Sequence, residues 1–240
     1  MVFVLNLEMQ QSSNNSRRSF IRSAAGKAAV AAIAPSAFAM AETTQTASGN
    51  SRIIGANDRI RIAVLGINGR GKTHVEEIMD LATKSNVEVV ALCDPDMNLL
   101  KVAAADFEKK YGKKVAIEQD FRKIYDDKSI DAVTLATPNH WHALQTIWAC
   151  QAGKDVYVEK PATHNIHEGK KMIEAAYKYN RIVQHGVQLR SSVAIREAVK
   201  HLEEGLIGKV YMSRGLVYRR RPDIGNKGIS PIPAGLNYDL

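Results

Sequence analysis

Between residues 58 and 186 the apolar positions switch repeatedly between unbroken runs and a helical spacing. The first run, Ile62–Leu65, ends in glycines, and the next apolar residues, from Val75 to Ala82, recur at i, i+3, i+4 and i+7. Such a change of period predicts a strand, a tight turn and a helix. Strands alternating with helices are typical of an α/β fold, a doubly wound parallel sheet of the Rossmann type. The further predicted strands are residues 87–93, 115–118, 130–136, 155–158 and 181–184.

Polar residues mark where several of the helices begin. Asp120 and Asn165 can each cap the helix that follows, because their side chains can accept hydrogen bonds from its free amides. Beyond the last strand, Ser191 or Ser192 can cap another helix, and residues 209–218 predict a further strand. The arginines, glycines and prolines that follow predict loop.

Residues 1–39 have the pattern of a targeting segment. A stretch with two adjacent arginines, Ser16–Arg22, precedes an alanine-rich run and a small-residue cleavage motif, Ala37–Ala39. This order resembles a twin-arginine export signal, and a plain basic tail is the alternative. The run is only mildly apolar and contains Lys27, which argues against a transmembrane helix. We therefore expect an exported, periplasmic protein with no membrane span and a polar linker over residues 40–57.

The charge and the cysteine content of the chain limit the kinds of ligand that it is expected to bind. The chain has 240 residues and a formal net charge of +8, and residues 209–227 carry six Lys and Arg against one Asp. No recognised nucleic-acid module accompanies this local excess. We therefore expect no nucleic-acid partner and favour an anionic substrate, a partner subunit or a solvated face. Cys93 and Cys150 lack the spacing of metal ligands or of a disulfide, so they are predicted core residues and no metal site is expected.

The turn after the first strand has the features of a phosphate-binding site. Gly66, Gly69 and Gly71 let the backbone approach a ligand, and the free amides of the following helix favour a phosphate. Asn68 stands where the dinucleotide fingerprint has its second glycine, and asparagine tolerates the left-handed conformation that such a turn can require. Asp94 ends the second strand, where a carboxylate accepts the ribose hydroxyls and repels a 2′-phosphate. The pattern therefore predicts NAD binding in preference to NADP.

Polar residues also collect at the ends of later strands, where open α/β sheets bind ligands. Thr137-Pro138-Asn139-His140-Trp141-His142 follows the fourth strand, and Glu159-Lys160-Pro161 follows the fifth. Each has a simpler reading: Lys160 as a surface lysine, His142 as a solvent-exposed residue at the start of a helix, and Asn139 as a helix cap. Residue type and position alone leave both readings open.

Five stretches in a fixed order resemble the glucose–fructose oxidoreductase, inositol dehydrogenase and MocA family (Gfo/Idh/MocA). They are the glycine turn, Cys93-Asp94-Pro95, Thr137–His142, Glu159-Lys160-Pro161 and His185-Gly186-Val187-Gln188. The resemblance runs from about Arg59 to the end of the chain. It implies an NAD(P)-binding Rossmann domain over residues 58–186 and, over residues 187–240, the beginning of an incomplete α+β second domain. It also implies a homo-oligomer in the full-length protein.

The same resemblance implies roles for individual residues. Lys160 would lie beside the nicotinamide and the substrate hydroxyl, where a lysine can orient the hydroxyl or accept its proton. Cofactor contacts are implied for the glycine turn and the later strand ends: Gly66, Asn68, Gly69, Arg70, Gly71, Asp94, Thr137, Pro138, Asn139, His142 and Glu159. Substrate contacts are expected from His185, Gln188, Arg190 and Arg219.

Three functions are consistent with these features. The leading hypothesis is an oxidoreductase that passes hydride between NAD and a sugar or polyol. An alternative is an NAD-dependent glycosidase similar to glycoside hydrolase family 109, in which oxidation, elimination and reduction return the same hydride. A third is a non-catalytic NAD-binding or sensor protein. Because there is no soluble NAD pool outside the cytoplasm, the export signal further predicts tightly held, internally recycled NAD.

Overall fold

The computed structural model describes residues 58–218, 222, 223, 225, 228 and 230–240. The predicted export signal (1–39), the linker (40–57) and Arg219 lie outside the described residues. Within the described part of the chain, no helix has both the length and the apolar character needed to cross a membrane.

Six strands form one sheet in the order β3-β2-β1-β4-β5-β6, and every pairing is parallel. This arrangement confirms the predicted doubly wound α/β fold of the Rossmann type. The last strand begins two residues later than predicted, because the backbone amide of Arg181 donates to the carbonyl of Ala176 and that of Ile182 donates to the side chain of Asp155. The strands are β1 (Ile60–Leu65), β2 (Val87–Cys93), β3 (Ala116–Glu118), β4 (Ala132–Leu135), β5 (Asp155–Glu159) and β6 (Val183–Gly186).

Helices follow each of the strands. They are α1 (Arg70–Leu81), α2 (Met97–Tyr111), α3 (Phe121–Asp126), α4 (Asn139–Gln151), α5 (Ile166–Lys178) and α6 (Val193–Glu203), with a 3-10 helix at Gln188–Ser191. The side chains of Asp120 and Asn165 accept hydrogen bonds from the amides of Arg122 and Glu168, which confirms both predicted caps. Ser192 precedes α6 without a side-chain capping bond.

The core consists of two apolar clusters on opposite faces of the sheet. Ala63 and Leu65 belong to one cluster, with residues of α3, α4 and α5, whereas Val64 belongs to the other, with residues of α1 and α2. Successive strand residues point to opposite faces, so β1 contributes to both clusters. Burial on both faces explains why the strands read as unbroken apolar runs.

The strand predicted at residues 209–218 is wrong. These residues have no strand structure, and their side chains are exposed, with Val217 at 92%. A strand is stabilised by hydrogen bonds to a neighbour, and the described residues place no other strand beside this stretch. Its two apolar runs, residues 210–212 and 216–218, therefore lack a partner strand in the described part of the chain.

Candidate active site

The glycine turn brings the end of β1 and the start of α1 close to the end of β4. Gly66 has a φ of +79°, and a Cβ there would lie 2.8 Å from the carbonyl carbon of Ala136. A Cβ on Gly71 would overlap the carbonyl oxygen of Gly66. Glycine is required at both positions. The resulting bare backbone leaves room for a ligand at the N-terminus of α1.

Asn68 is exposed in this turn and does not adopt the left-handed conformation considered for it. Gly66 and Gly69 have positive φ values of 79° and 71°, whereas the described non-glycine residues with positive φ are Asn86 and Asn180. The two glycines therefore provide the tight turn. The asparagine replaces a glycine of the fingerprint at a position where a side chain causes no backbone strain.

Asp94 lies directly beside the glycine turn. Its carboxylate accepts hydrogen bonds from the backbone amides of Ile67 and Asp96, each at 3.1 Å. Burial raises the pKa of Asp94, and these two backbone hydrogen bonds oppose that shift. The amide of Gly66 in turn donates to the carbonyl of Cys93 at 2.8 Å. The acid and the turn are therefore held together as one unit.

A second unit forms around the buried side chain of Glu159, at the end of β5. Its Oε1 accepts hydrogen bonds from Arg70 Nε at 2.9 Å, His74 Nε2 at 3.1 Å and Gln188 Nε2 at 2.6 Å. Its Oε2 accepts from the backbone amide of Lys160 at 3.2 Å. We call Arg70, His74, Glu159 and Gln188 the Glu159 cluster. This cluster joins the first turns of α1 to the turn that carries Lys160.

The Glu159 cluster favours the ionised carboxylate. Burial by itself raises the pKa of Glu159, but hydrogen bonds from Arg70, His74 and the amide of Lys160 outweigh it and lower the pKa to about 2. The hydrogen bond to Glu159 is also the main cause that raises the pKa of Arg70. Arg70, a predicted cofactor contact, is thus already paired with a fixed anion.

Lys160 is exposed at the carboxyl end of β5. This placement agrees both with the position that the family gives to its lysine and with the simpler reading of a surface lysine. Its backbone distinguishes it from other surface lysines, because Glu159 holds the amide of Lys160 while binding Arg70 of α1. The catalytic role of its side chain stays a prediction.

His142 is buried, so the reading of a solvent-exposed residue is wrong. Its Nδ1 lies 2.6 Å from the carbonyl oxygen of Pro161, and its Nε2 lies 2.8 Å from the carbonyl oxygen of Thr137. Each ring nitrogen thus lies within hydrogen-bond distance of a backbone carbonyl. His142 thereby joins the turn after β4 to the turn after β5. The residue is 1% exposed and links the two turns, and its contact with the cofactor stays a prediction.

The turn after β4 presents Thr137 and Pro138 to the same cavity that Asp94 lines. The Thr137 hydroxyl donates to Gln145 Oε1 at 2.7 Å. Pro138 occupies the N-cap position of α4 and no side chain caps this helix, so the reading of Asn139 as a helix cap is wrong. Asn139 is instead an exposed first residue of α4, and its contact with the cofactor stays a prediction.

The predicted substrate residues differ in their surroundings. His185 is half-buried, and burial lowers its pKa while the charge of Glu159 opposes that shift. Gln188 is bound to Glu159, and Arg190 is exposed in the 3-10 helix. Their contacts with a substrate stay predictions.

The family model described as an oxidoreductase family with an NAD-binding Rossmann fold, Gfo/Idh/MocA, matches residues 60–187. This match covers more than half of the chain and includes the glycine turn, Asp94 and Lys160. The chain belongs to this family. The residues in place fit the family's cofactor, since the glycine turn offers bare backbone amides for the pyrophosphate and Asp94 offers a carboxylate for the ribose hydroxyls.

The similar proteins include dehydrogenases and a glycosyl hydrolase. The chain is 34% identical over 128 residues to levoglucosan dehydrogenase from Pseudarthrobacter phenanthrenivorans, covering 53% of this chain and 31% of that protein. It is 30% identical over 174 residues to a glycosyl hydrolase family 109 protein from Shewanella baltica, covering 68% of this chain and 37% of that protein. Among solved structures it resembles scyllo-inositol dehydrogenase from Lactobacillus casei with bound NAD(H) and scyllo-inositol. That similarity has a TM-score of 0.53 at 27% identity and covers 63% of this chain and 43% of that one. The chain thus spans only about a third of the length of these curated relatives.

Two side chains without a distinctive sequence signal also belong to the site. His74 lies four residues after Arg70, which places both on one face of α1 and within reach of Glu159. That spacing is the one available signal, because the sequence does not reveal a carboxylate 85 residues further on. Gln145 likewise becomes part of the site only through its contact with Thr137.

Proposed function

We propose that the full-length protein is an NAD-dependent oxidoreductase that transfers hydride between NAD and a sugar or polyol. The observation that carries this proposal is the Glu159 cluster. Through it, one buried carboxylate binds both Arg70 at the start of the dinucleotide-binding helix and the backbone of Lys160. This link between the backbone of Lys160 and the helix after the glycine turn supports a role for Lys160 beside the cofactor. The dehydrogenases among the relatives support a hydroxylated substrate.

Each part of the site would have a distinct task. Gly66 and Gly71 keep side chains away from the pyrophosphate, and Asp94 would hold the adenosine ribose. The exposed amine of Lys160 would hold the reacting hydroxyl and accept its proton. When bound, NAD supplies the hydride acceptor. Glu159 stays ionised and would keep Lys160 in position without itself exchanging a proton.

The test is Lys160→Ala in the full-length protein, assayed with a panel of sugars and polyols. General acid–base residues contribute on the order of a hundredfold or more. Turnover should therefore fall by at least about that factor, while NAD affinity measured by calorimetry stays nearly unchanged. Lys170→Ala, an exposed lysine on α5, is the matched control. Full turnover in Lys160→Ala would remove this residue from the mechanism.

A glycosidase reading is the second candidate. It is favoured by the family 109 relative, whose similarity extends over 174 residues and therefore beyond the 128 aligned with levoglucosan dehydrogenase. This function would release sugar from a glycoside without net reduction of NAD, whereas a simple dehydrogenase would accumulate NADH. Measuring sugar release and NADH absorbance in the same reaction separates the two. A protein that binds NAD but turns over neither substrate class would instead fit the sensor reading.

Export through the twin-arginine route would favour a redox-neutral cycle. The route carries folded proteins, so NAD could be loaded in the cytoplasm and would have to be regenerated in place outside it. The observation behind this proposal is the Ser16–Arg22 stretch with its alanine-rich run. Purified mature protein should then release nucleotide on denaturation and convert substrate without added NAD. An empty protein that reduces added NAD stoichiometrically would argue for a cytoplasmic-style dehydrogenase.

A homo-oligomer also belongs to this proposal. Exposed apolar residues on α6, such as Val193 and Val199, support burial of this helix against further protein. Light scattering on the full-length protein tests the oligomer, and a salt-dependent DNA-binding assay tests the expected absence of a nucleic-acid partner.

A further inference from the structure

A short segment far along the chain docks onto the loop that follows Asp94. We call residues 233–240 the rim segment. The amide of Met97 donates to the carbonyl of Gly235 at 3.0 Å, and the amide of Asn237 donates to the carbonyl of Pro95 at 2.9 Å. Leu236 forms an antiparallel bridge with Asp96. The rim segment is therefore paired, backbone to backbone, with the loop at the carboxyl end of β2.

Two side chains of the Rossmann domain also form hydrogen bonds with the rim segment. Gln119 Nε2 donates to the carbonyls of Pro95 at 2.7 Å and Gly235 at 3.0 Å. Asn98 Nδ2 donates to the carbonyl of Ala234 at 2.7 Å. Gly235 has a φ of +89°, and a Cβ there would lie 2.7 Å from Asn98 Nδ2. The positive φ favours glycine at this position, and a Cβ would also displace the Asn98 side chain that binds the carbonyl of Ala234.

The rim segment and Asp94 line one cavity of about 230 Å³. Phe121, Trp141 and Leu236 give this cavity apolar walls, and Asp94 is the acidic group among its lining residues. Asn237 and Tyr238 complete the lining from the rim segment. An apolar space with one carboxylate suits a flat base joined to a hydroxylated sugar.

The hydrogen bonds of the rim segment indicate that it forms a wall and does not fill the site. They go to residue 95 in the loop after β2, to residues 97 and 98 at the start of α2, and to residue 119 after β3. The Asp94 carboxylate is bound to the amides of Ile67 and Asp96. Tyr238 is 74% exposed, although it lines the cavity.

We propose that the rim segment forms the outer wall of the adenosine half of the NAD site. The Tyr238 ring would lie against the base, and the side chain of Asn237 would lie near the ribose. This inference rests on NAD binding, which the proposed function requires. Aromatic rings bind bases of any kind by stacking, so Tyr238 adds affinity without selecting the base. The affinity for NAD and its rate of release then depend on residues outside the Rossmann domain.

The first test compares Tyr238→Ala with Tyr211→Ala, a control tyrosine that is 89% exposed. Calorimetric titrations of the full-length protein use NAD, AMP and nicotinamide mononucleotide. Loss of one aromatic stack should weaken NAD and AMP by about tenfold or more and leave nicotinamide mononucleotide unchanged. The control should match the unmodified protein with all three ligands. Unchanged AMP affinity in Tyr238→Ala would overturn the proposal.

The second test disturbs the docking itself through Gly235→Val, with Gly215→Val as the control because a Cβ on Gly215 meets nothing within 4 Å. Hydrogen exchange of the Met97 and Asn237 amides should accelerate in Gly235→Val alone, and bound NAD should leave faster. Thermal unfolding checks that the sheet remains intact. Tighter NAD binding in Gly235→Val would show that the rim segment competes with the cofactor and would overturn the proposal. Absence of NAD binding in the unmodified protein would refute the proposed function itself.

Discussion

Replacing Glu159 by glutamine removes the charge at the centre of the Glu159 cluster and nearly preserves the shape of the side chain. In the native protein the carboxylate accepts four hydrogen bonds, from Arg70, His74, Gln188 and the amide of Lys160. The amide nitrogen of glutamine is a donor, so it would face these donors without an acceptor. We expect the variant to loosen the link between α1 and the turn that carries Lys160.

The size of the effect follows from the pKa of Glu159, which lies at about 2 compared with an ordinary value of 4.5. Each unit of pKa is worth about 1.4 kcal/mol, so the folded state favours the carboxylate by about 3 kcal/mol at neutral pH. Because the folded pKa is the lower one, this stabilisation is complete above pH 4.5 and is lost as the pH falls through about 2. About half of it should remain at pH 3.

The assay is urea unfolding of the full chain from pH 7 down to pH 3, comparing the unmodified protein with Glu159→Gln. The free energy of unfolding should differ by about 2–3 kcal/mol at pH 7, and the gap should narrow as the pH falls below 4.5. Glu174→Gln serves as the control, because Glu174 makes an exposed ion pair with Lys171 on α5. A gap that is constant with pH, or no larger than that of the control, would refute the reasoning.

Two other perturbations test separate parts of the structure. Asp94→Ala should reduce the preference for NAD over NADP by about 1–3 kcal/mol, because the ribose hydroxyls lose their acceptor; tighter binding of NADP by the unmodified protein, measured by fluorescence titration, would contradict the assignment. Lys154 is buried and donates to the carbonyls of Asp127 and Ile130 at 2.6 and 2.9 Å, and burial, with a smaller effect of Lys128, lowers its pKa from 10.5 to about 8. The unfolded chain therefore binds more protons between about pH 8 and 10.5, so the free energy of unfolding should rise with pH in that window and the rise should be absent in Lys154→Met. If the free energy of unfolding rises equally with pH in the two proteins, a group other than Lys154 titrates in this window.

Much of the fold could be predicted from the sequence because its signals are local. The change from apolar runs to helical spacing locates β1 and α1, and the capping residues Asp120 and Asn165 mark helix starts within a few residues of the amides they bind. The glycine turn is also local, since Gly66 and Gly71 contact each other directly. Both glycines lie within one stretch of six residues, so the sequence alone predicts that contact.

The rest of the site depends on contacts between distant residues. Arg70 and Glu159 are 89 positions apart, and Gln119 and Gly235 are 116 apart, so no spacing rule connects them. The mistaken strand at residues 209–218 has the same origin, because short apolar runs form a strand only where a neighbouring strand is available. His142 was ambiguous for a similar reason, since its burial comes from the turn after β5.

The order of the strands has a consequence for how this scaffold can change. The chain leaves β1 toward β2 on one side and reaches β4 on the other, and the connecting helices cover opposite faces of the sheet. The chain connections run in opposite directions from β1 and from β4. A crevice therefore opens between the carboxyl ends of these two strands as a result of topology alone. If Asp94 and Lys160 have the roles proposed above, substituting them would change the ligand or the reaction, but the crevice would remain between the same two strands. The position of the active site therefore follows from the order of the strands. The specificity of the site can change separately, through substitutions in the loops that line the crevice.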